Sequence, residues 1–336
     1  MELTSSTHTS FACSLTLVAY TIGEFLVAIF AYVTRDWLLL KWLTTLYFAL
    51  SLPYLYFLPE SPYWLYSQKK YKELEAGLKN IAKLNRRSDE EWLPVYKQLV
   101  EDTKLTDEVT KDVVKKPIKR RFLKYVPRLA ISGFIEFVTM LLYTNISYGL
   151  GEKNETLSPY WNFSIGVAVE IVGYLFAGFL ITTFLGRKYS IIIFAALTSA
   201  CVLIIPFIMD SHPLPTTIVS QLGKLFVSST VSVSWIYVPE LFPTSMRGLA
   251  NGIFVFVGSF GSILAPIITE AVGDKYVKIT FYAYSGLIVL LAIVICTLPE
   301  TRDHSFEDRD DEDDEQKKGT EDGDKHDDKD EANTKL

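Results

Sequence analysis

Residues 189–209 read YSIIIFAALTSACVLIIPFIM, an apolar run without one charged side chain. About 20 mostly apolar residues in a helix cross a bilayer core roughly 30 Å thick, so this run reads as a membrane-spanning helix. Outward from it, seven further stretches have the same character: 11–33, 38–58, 126–147, 161–184, 216–239, 248–271 and 277–298. The whole-chain averages conceal them, with 49% hydrophobic and 21% charged residues and a mean hydropathy of +0.20. The charges are segregated into one block from Lys69 to Lys124 and a tail after Pro299. The expected fold class is all-α and membrane-embedded, with about eight transmembrane helices. The first stretch lacks a basic leader and is too long for a signal-peptide core, so it counts among the spans.

Four regions follow: two spanning helices over 1–58, a polar helical loop over 59–125, a six-helix bundle over 126–300, and an acidic tail over 301–336. In the loop, Ser88 and Glu91 have the spacing of a helix capping box. The tail, with Asp308-Arg-Asp-Asp-Glu-Asp-Asp-Glu, has too little apolar surface to fold and reads as disordered. It also supplies most of the net charge of −6, which therefore says little about partners and points to no nucleic acid.

Topology follows from charge, since Lys and Arg near helix ends favour the cytoplasmic side. Lys115, Lys116, Lys119, Arg120, Arg121 and Lys124 directly precede the third span. That loop is expected inside, with Arg187, Lys188, Arg247 and both termini. The connection after the third span is then external and carries the sequons of Asn145, Asn154 and Asn162. Asn154 is the acceptor best separated from the membrane. A multi-pass plasma-membrane location is expected.

No catalytic or cofactor pattern stands out. Cys13, Cys201 and Cys296 are far apart in apolar runs, which suits small buried residues and gives no metal or disulfide spacing. There is no Walker A pattern, no H-E-x-x-H and no G-x-S-x-G, and His8, His212, His304 and His326 lie outside helix depth. Neither an enzyme nor an ATP-driven pump is indicated, and no cofactor or metal is expected.

Leu58-Pro-Glu-Ser closes the second span and Leu298-Pro-Glu-Thr closes the eighth. Six spans separate the copies, which matches two six-helix halves related as parallel repeats, the layout of major facilitator carriers. Other residues carry a family likeness. Pro59-Glu-Ser-Pro-Tyr-Trp-Leu resembles the P-E-S-P-R-W-L signature of the organic cation, anion and zwitterion (carnitine) transporter family. Ala31-Tyr with Asp36-Trp, Tyr160-Trp-Asn-Phe with Val169-Glu, Gly186-Arg-Lys, Gly223-Lys, Tyr237-Val-Pro-Glu-Leu-Phe-Pro-Thr with Arg247, and Leu298-Pro-Glu-Thr resemble its later motifs. The likeness covers about residues 11–305. Tyr63 departs from the family's Arg, and Thr183-Phe184 from its Asp-Arg. The resemblance implies a secondary carrier of small organic ions that lacks the family's first four helices and cysteine-bearing ectodomain. It leaves open a second reading: a truncated, non-transporting partner of full-length carriers, or an incomplete gene model.

Acids at bilayer depth usually face a cavity or a partner. Glu24 and Glu170 lie in apolar runs, and Glu170 is the candidate for attracting a cationic group or coupling to a proton. The plain alternative is a structural bond to Tyr or Ser on a neighbouring helix. Lys224 either snorkels or compensates an acid. Tyr148, Trp235 and Tyr237 are candidates to line a cation cavity by cation–π contact, against their ordinary use in an aromatic belt. The resemblance places the family's charge-selecting position at Ser259, which is neutral, so Glu170 tilts the reading toward cations or zwitterions. Glu60, Arg187, Lys188, Glu240, Arg247 and Glu300, all at helix ends on the expected cytoplasmic side, are candidates for a gate of ion pairs, against ordinary helix-end pairing.

Overall fold

The computed structural model describes residues 9–57, 59–110, 118–149, 159–183, 185–210, 213–242 and 244–301. Every regular element among them is helical: α1 (Thr9–Thr34), α2 (Trp37–Ser51), α3 (Tyr54–Phe57), α4 (Pro62–Ser67), α5 (Tyr71–Leu84), α6 (Asp89–Thr110), α7 (Ile118–Thr144), α8 (Pro159–Thr182), α9 (Gly186–Ile208), α10 (Pro213–Glu240) and α11 (Thr244–Cys296). The basic side chains of Lys115 to Lys124, Asn154 and the tail beyond Thr301 lie outside the described residues.

Six helical stretches are long and apolar enough to cross a bilayer: Ser10–Thr34, Tyr125–Ser147, Tyr160–Thr182, Gly186–Ile208, Met246–Gly273 and Tyr276–Cys296. They match six of the eight expected spans. The expected span 216–239 is α10, a helix of 28 residues whose eight Ser and Thr lower its hydropathy. The expected span 38–58 is shorter than its apolar run: α2 has 15 residues and is followed by a turn and the single-turn α3. Pro53 offers no backbone N–H to continue the α2 ladder.

The two last spans, labelled together as α11, are two helices that meet at a kink. At Gly273 the backbone turns to φ 60°, ψ 179°, a conformation essentially closed to residues with a side chain. A glycine break, with no separate loop, therefore divides the runs 248–271 and 277–298. α7 ends in a π-helical turn over Asn145–Gly149, where the Asn145 amide donates to Thr269 Oγ1 at 2.9 Å.

The chain divides into two compact units. The first contains residues 22–126 with the first 13 residues. Within it, α4, α5 and α6 enclose a small core of Leu65, Leu74 and Tyr96, joined by Trp92, Leu93 and Val100. The Tyr96 hydroxyl donates to the Tyr71 carbonyl at 2.7 Å. The expected Ser88–Glu91 pair forms, but the serine hydroxyl donates to the glutamate carboxylate at 3.3 Å while Arg87 pairs with the same side chain at 3.0 Å.

The second unit contains Ser14–Thr21 and everything from Pro127. Lipid tails are as apolar as leucine, so burial alone cannot hold such helices together, and close packing of small residues must do so. The sequence supplies them. A Cβ on Gly173 of α8 would stand 2.7 Å from the Leu225 carbonyl of α10, and the Ser229 hydroxyl lies across the same joint between that carbonyl, at 2.8 Å, and the Gly173 carbonyl, at 2.9 Å. A Cβ on Gly261 of α11 would collide with the Phe137 carbonyl of α7. The Ser199 and Ser285 hydroxyls meet at 2.9 Å between α9 and α11. Outward side chains are large and apolar, including Leu197 and Phe207 on α9 and Phe256, Ile263 and Ile267 on α11. A bundle with so apolar an outer face belongs in lipid.

Overpacking a close helix joint typically costs about 1–3 kcal/mol, so Gly261→Val should lower the melting temperature in detergent. Gly252→Ala, where a Cβ would meet nothing, should leave it unchanged or raise it. Equal behaviour of the two variants would refute the α7–α11 joint.

Candidate functional site

Glu170 on α8 is fully buried within the second unit. Its Oε1 accepts hydrogen bonds from the Tyr143 hydroxyl of α7 and the Tyr174 hydroxyl one turn along α8, both at 2.7 Å. Its Oε2 lies 3.2 Å from Lys224 Nζ of α10, and both side chains are almost wholly shielded from solvent. Thr21 stands 3.5 Å from Oε1, but its hydroxyl has a shorter bond to the Leu17 carbonyl at 3.1 Å, which takes its proton. Lys224 reaches the acid by lying against Gly166, where an added Cβ would come within 3.0 Å of Nζ, and its ammonium is 5.9 Å from the Phe163 ring centroid. Burying two opposite charges is unfavourable unless they pair and their remaining valences are filled. Here one ammonium and two phenols meet one carboxylate.

A second acid is just as deep. Glu136 on α7 is buried, with Oε1 accepting from Trp235 Nε1 at 3.0 Å and Oε2 facing Ser234 Oγ at 3.4 Å. The Trp235 ring packs edge-on against Phe254 of α11, centroids 5.9 Å apart. Sequence reasoning passed over Glu136, although an isolated acid inside the run 126–147 was the same signal that singled out Glu24 and Glu170.

At the other end of the unit, four of the expected gate residues converge. Arg187, at the start of α9, meets Glu240 of α10 through two nitrogens at 3.2 Å each. The Thr301 hydroxyl donates to the same carboxylate at 2.6 Å. Glu300 caps the amino end of α9: its carboxylate accepts the backbone N–H groups of Arg187 and Lys188, each at 3.0 Å. An anion is favoured there by the helix dipole and by otherwise orphaned donors. Gly186, at φ +75°, admits it, because the Glu300 carboxylate stands where a Cβ would be. Lys188 Nζ donates to the Cys296 carbonyl at 2.8 Å.

The family model for sugar (and other) transporters matches residues 1–313. The chain belongs to that family. Its relatives include the organic cation transporter 1 of Caenorhabditis elegans, 30% identical over 90% of this chain and 51% of the relative. The carcinine transporter of Drosophila melanogaster is 25% identical over 90% of this chain and 45% of its own length. The human organic cation/carnitine transporter 2 is 26% identical over 84% and 50% respectively. The chain thus spans about half the length of the curated relatives it matches. A solved structure of the major facilitator proton:xylose symporter XylE bound to 6-bromo-6-deoxy-D-glucose shares the fold, with TM-score 0.73 at 20% identity over 91% of this chain and 67% of its own. The resemblance to organic cation and carnitine carriers and the all-α major facilitator fold both stand, in a family of carriers and not of enzymes.

Within this family member the other expected residues are distributed as follows. Trp235 bonds Glu136, not Glu170. Tyr237 is fully buried and donates to the Pro299 carbonyl at 2.6 Å, just beyond the end of α11. Ser259 is exposed on α11 and donates to the Val255 carbonyl of its own helix. Arg247 is half-buried in the first turns of α11, Glu24 is half-buried on α1, and Glu60 is exposed before α4. The side chain of Tyr148 lies outside the described residues. Asn145 and Asn162 are both buried, and their amides bond Thr269 and Gln221.

Removing one partner of a buried ion pair costs about 3–5 kcal/mol. Arg187→Ala should therefore lower unfolding stability by that order, and Arg187→Ala with Glu240→Gln should recover part of the loss. Additive losses in denaturant titrations would show that the pair is not coupled.

Proposed function

We propose that the chain belongs to a secondary carrier that moves small organic ions, cations or zwitterions, across the plasma membrane by alternating access. The observation that carries this reading is the buried Glu170–Lys224 pair among Tyr143 and Tyr174. An organic cation competes with the Lys224 ammonium for the Glu170 carboxylate, and the phenols offer ring faces to it. A zwitterion uses both members: its cationic end takes Glu170, and the displaced Lys224 takes its carboxylate. The names of the organic cation and carnitine relatives favour such solutes. In this reading the Arg187–Glu240 pair and the Glu300 cap tie the cytoplasmic ends of α9, α10 and α11 together within one unit, and the gate opens where those contacts are lost.

In a binding titration of the purified chain, Glu170→Gln should weaken tetraethylammonium binding at least about tenfold, some 1.4 kcal/mol. Lys224→Gln should strengthen it and abolish any preference for carnitine. Unchanged affinity in both variants would reduce the pair to a structural role.

The proposed topology puts Asn154 outside and both termini in the cytoplasm. Asn154→Gln should remove the glycosidase-sensitive mobility shift of the chain expressed in animal cells, whereas Asn145→Gln and Asn162→Gln should not. A shift that survives Asn154→Gln contradicts this orientation.

A further inference from the structure

Glu136 has no part in the reading above, and its surroundings differ in kind from those of Glu170. Among the described residues, the groups that meet its carboxylate are neutral: the Trp235 indole N–H and the Ser234 hydroxyl from α10. From α11, Gly258 presses on its Cγ, where an added Cβ would collide. The charged residues of the packed helices are placed elsewhere. On α10, Lys224 pairs with Glu170 and Glu240 with Arg187. Arg247 and Glu270 lie on α11 about three turns before and after Gly258, and Arg128 lies on α7 about two turns before Glu136. The titratable Tyr143, two turns further along α7, gives its proton to Glu170.

The Ser234 hydroxyl has one hydrogen, and its short bond, 2.8 Å, goes to the Val231 carbonyl of the preceding turn. Its contact to Glu136 Oε2 is long, at 3.4 Å. The Trp235 N–H, at 3.0 Å from Oε1, is then the one close donor to a buried carboxyl group. A carboxylate buried with one neutral donor and no opposite charge is costly, and the neutral acid is favoured.

We propose that Glu136 is a proton-binding site: the joint of α7, α10 and α11 holds it as the neutral acid. Loss of that proton to water as Glu136–COOH ⇌ Glu136–COO⁻ + H⁺ requires the joint to open. Among the described residues no opposite charge meets that carboxylate, so an ionised Glu136 would stand buried and unpaired while the helices are packed. The proton therefore favours the packed arrangement and its release favours a separated one. This site is independent of which solute is carried.

Infrared spectroscopy of the purified chain in lipid nanodiscs tests the claim without transport. The C=O band of a protonated carboxylic acid should be present at neutral pH, absent in Glu136→Gln and retained in Glu170→Gln. If Glu136→Gln does not fold, Glu136→Asp serves, since it should shift that band. On the unsubstituted chain, an alkaline titration should change tryptophan emission, and Trp235→Phe should remove the change. Absence of the band in the unsubstituted chain, or its persistence unaltered in both Glu136 variants, overturns the proposal.

Discussion

Lys224 and Glu170 lie 3.2 Å apart in a bundle that offers them almost no water. Neither side chain is tolerable there alone, so the pair constrains the register of α8 against α10 as firmly as any apolar contact. The close joint at Gly173 and Ser229, about one turn further along both helices, is set by the same register. Tyr143 extends the constraint to α7 and Gly166 makes room for the ammonium. Specificity of helix packing and the chemistry of the candidate site are thus one arrangement.

The two deep acids show how one bundle can hold the same residue type in two ways. Glu170 has an ammonium and two phenolic donors, which suits a charged carboxylate. Glu136 has one close neutral donor, the Trp235 indole, and no ammonium beside it among the described residues, which suits an uncharged one. Paired titratable groups held in contrasting environments divide the roles of binding charge and carrying protons. Both lie on helices that pack against α10, whose eight Ser and Thr make it the polar seam of an otherwise apolar unit.

The spans were legible because bilayer burial suppresses charge over whole helices, and the 189–209 run reappears as α9 almost unchanged. The motif ends were legible too, and they meet in space: Gly186-Arg-Lys, Glu240 and Pro299-Glu-Thr form one network. What escaped was pairing. Trp235 and Tyr237 are two residues apart, yet one bonds Glu136 and the other Pro299, because successive positions on a helix face different neighbours. Glu136 meets Trp235 99 residues later, a distance no local period records. The Gly273 break was also hidden, since an apolar run with a glycine reads as a loop between spans.

The central claim is that Glu170 and Lys224 are energetically coupled inside the membrane bundle. A double-mutant cycle on unfolding free energy, using Glu170→Gln, Lys224→Gln and both together, measures that coupling directly. The arrangement described predicts each single loss at about 3 kcal/mol or more and a double loss well short of their sum. Strictly additive losses would mean that the two charges do not meet, and the reading built on their pairing would fall.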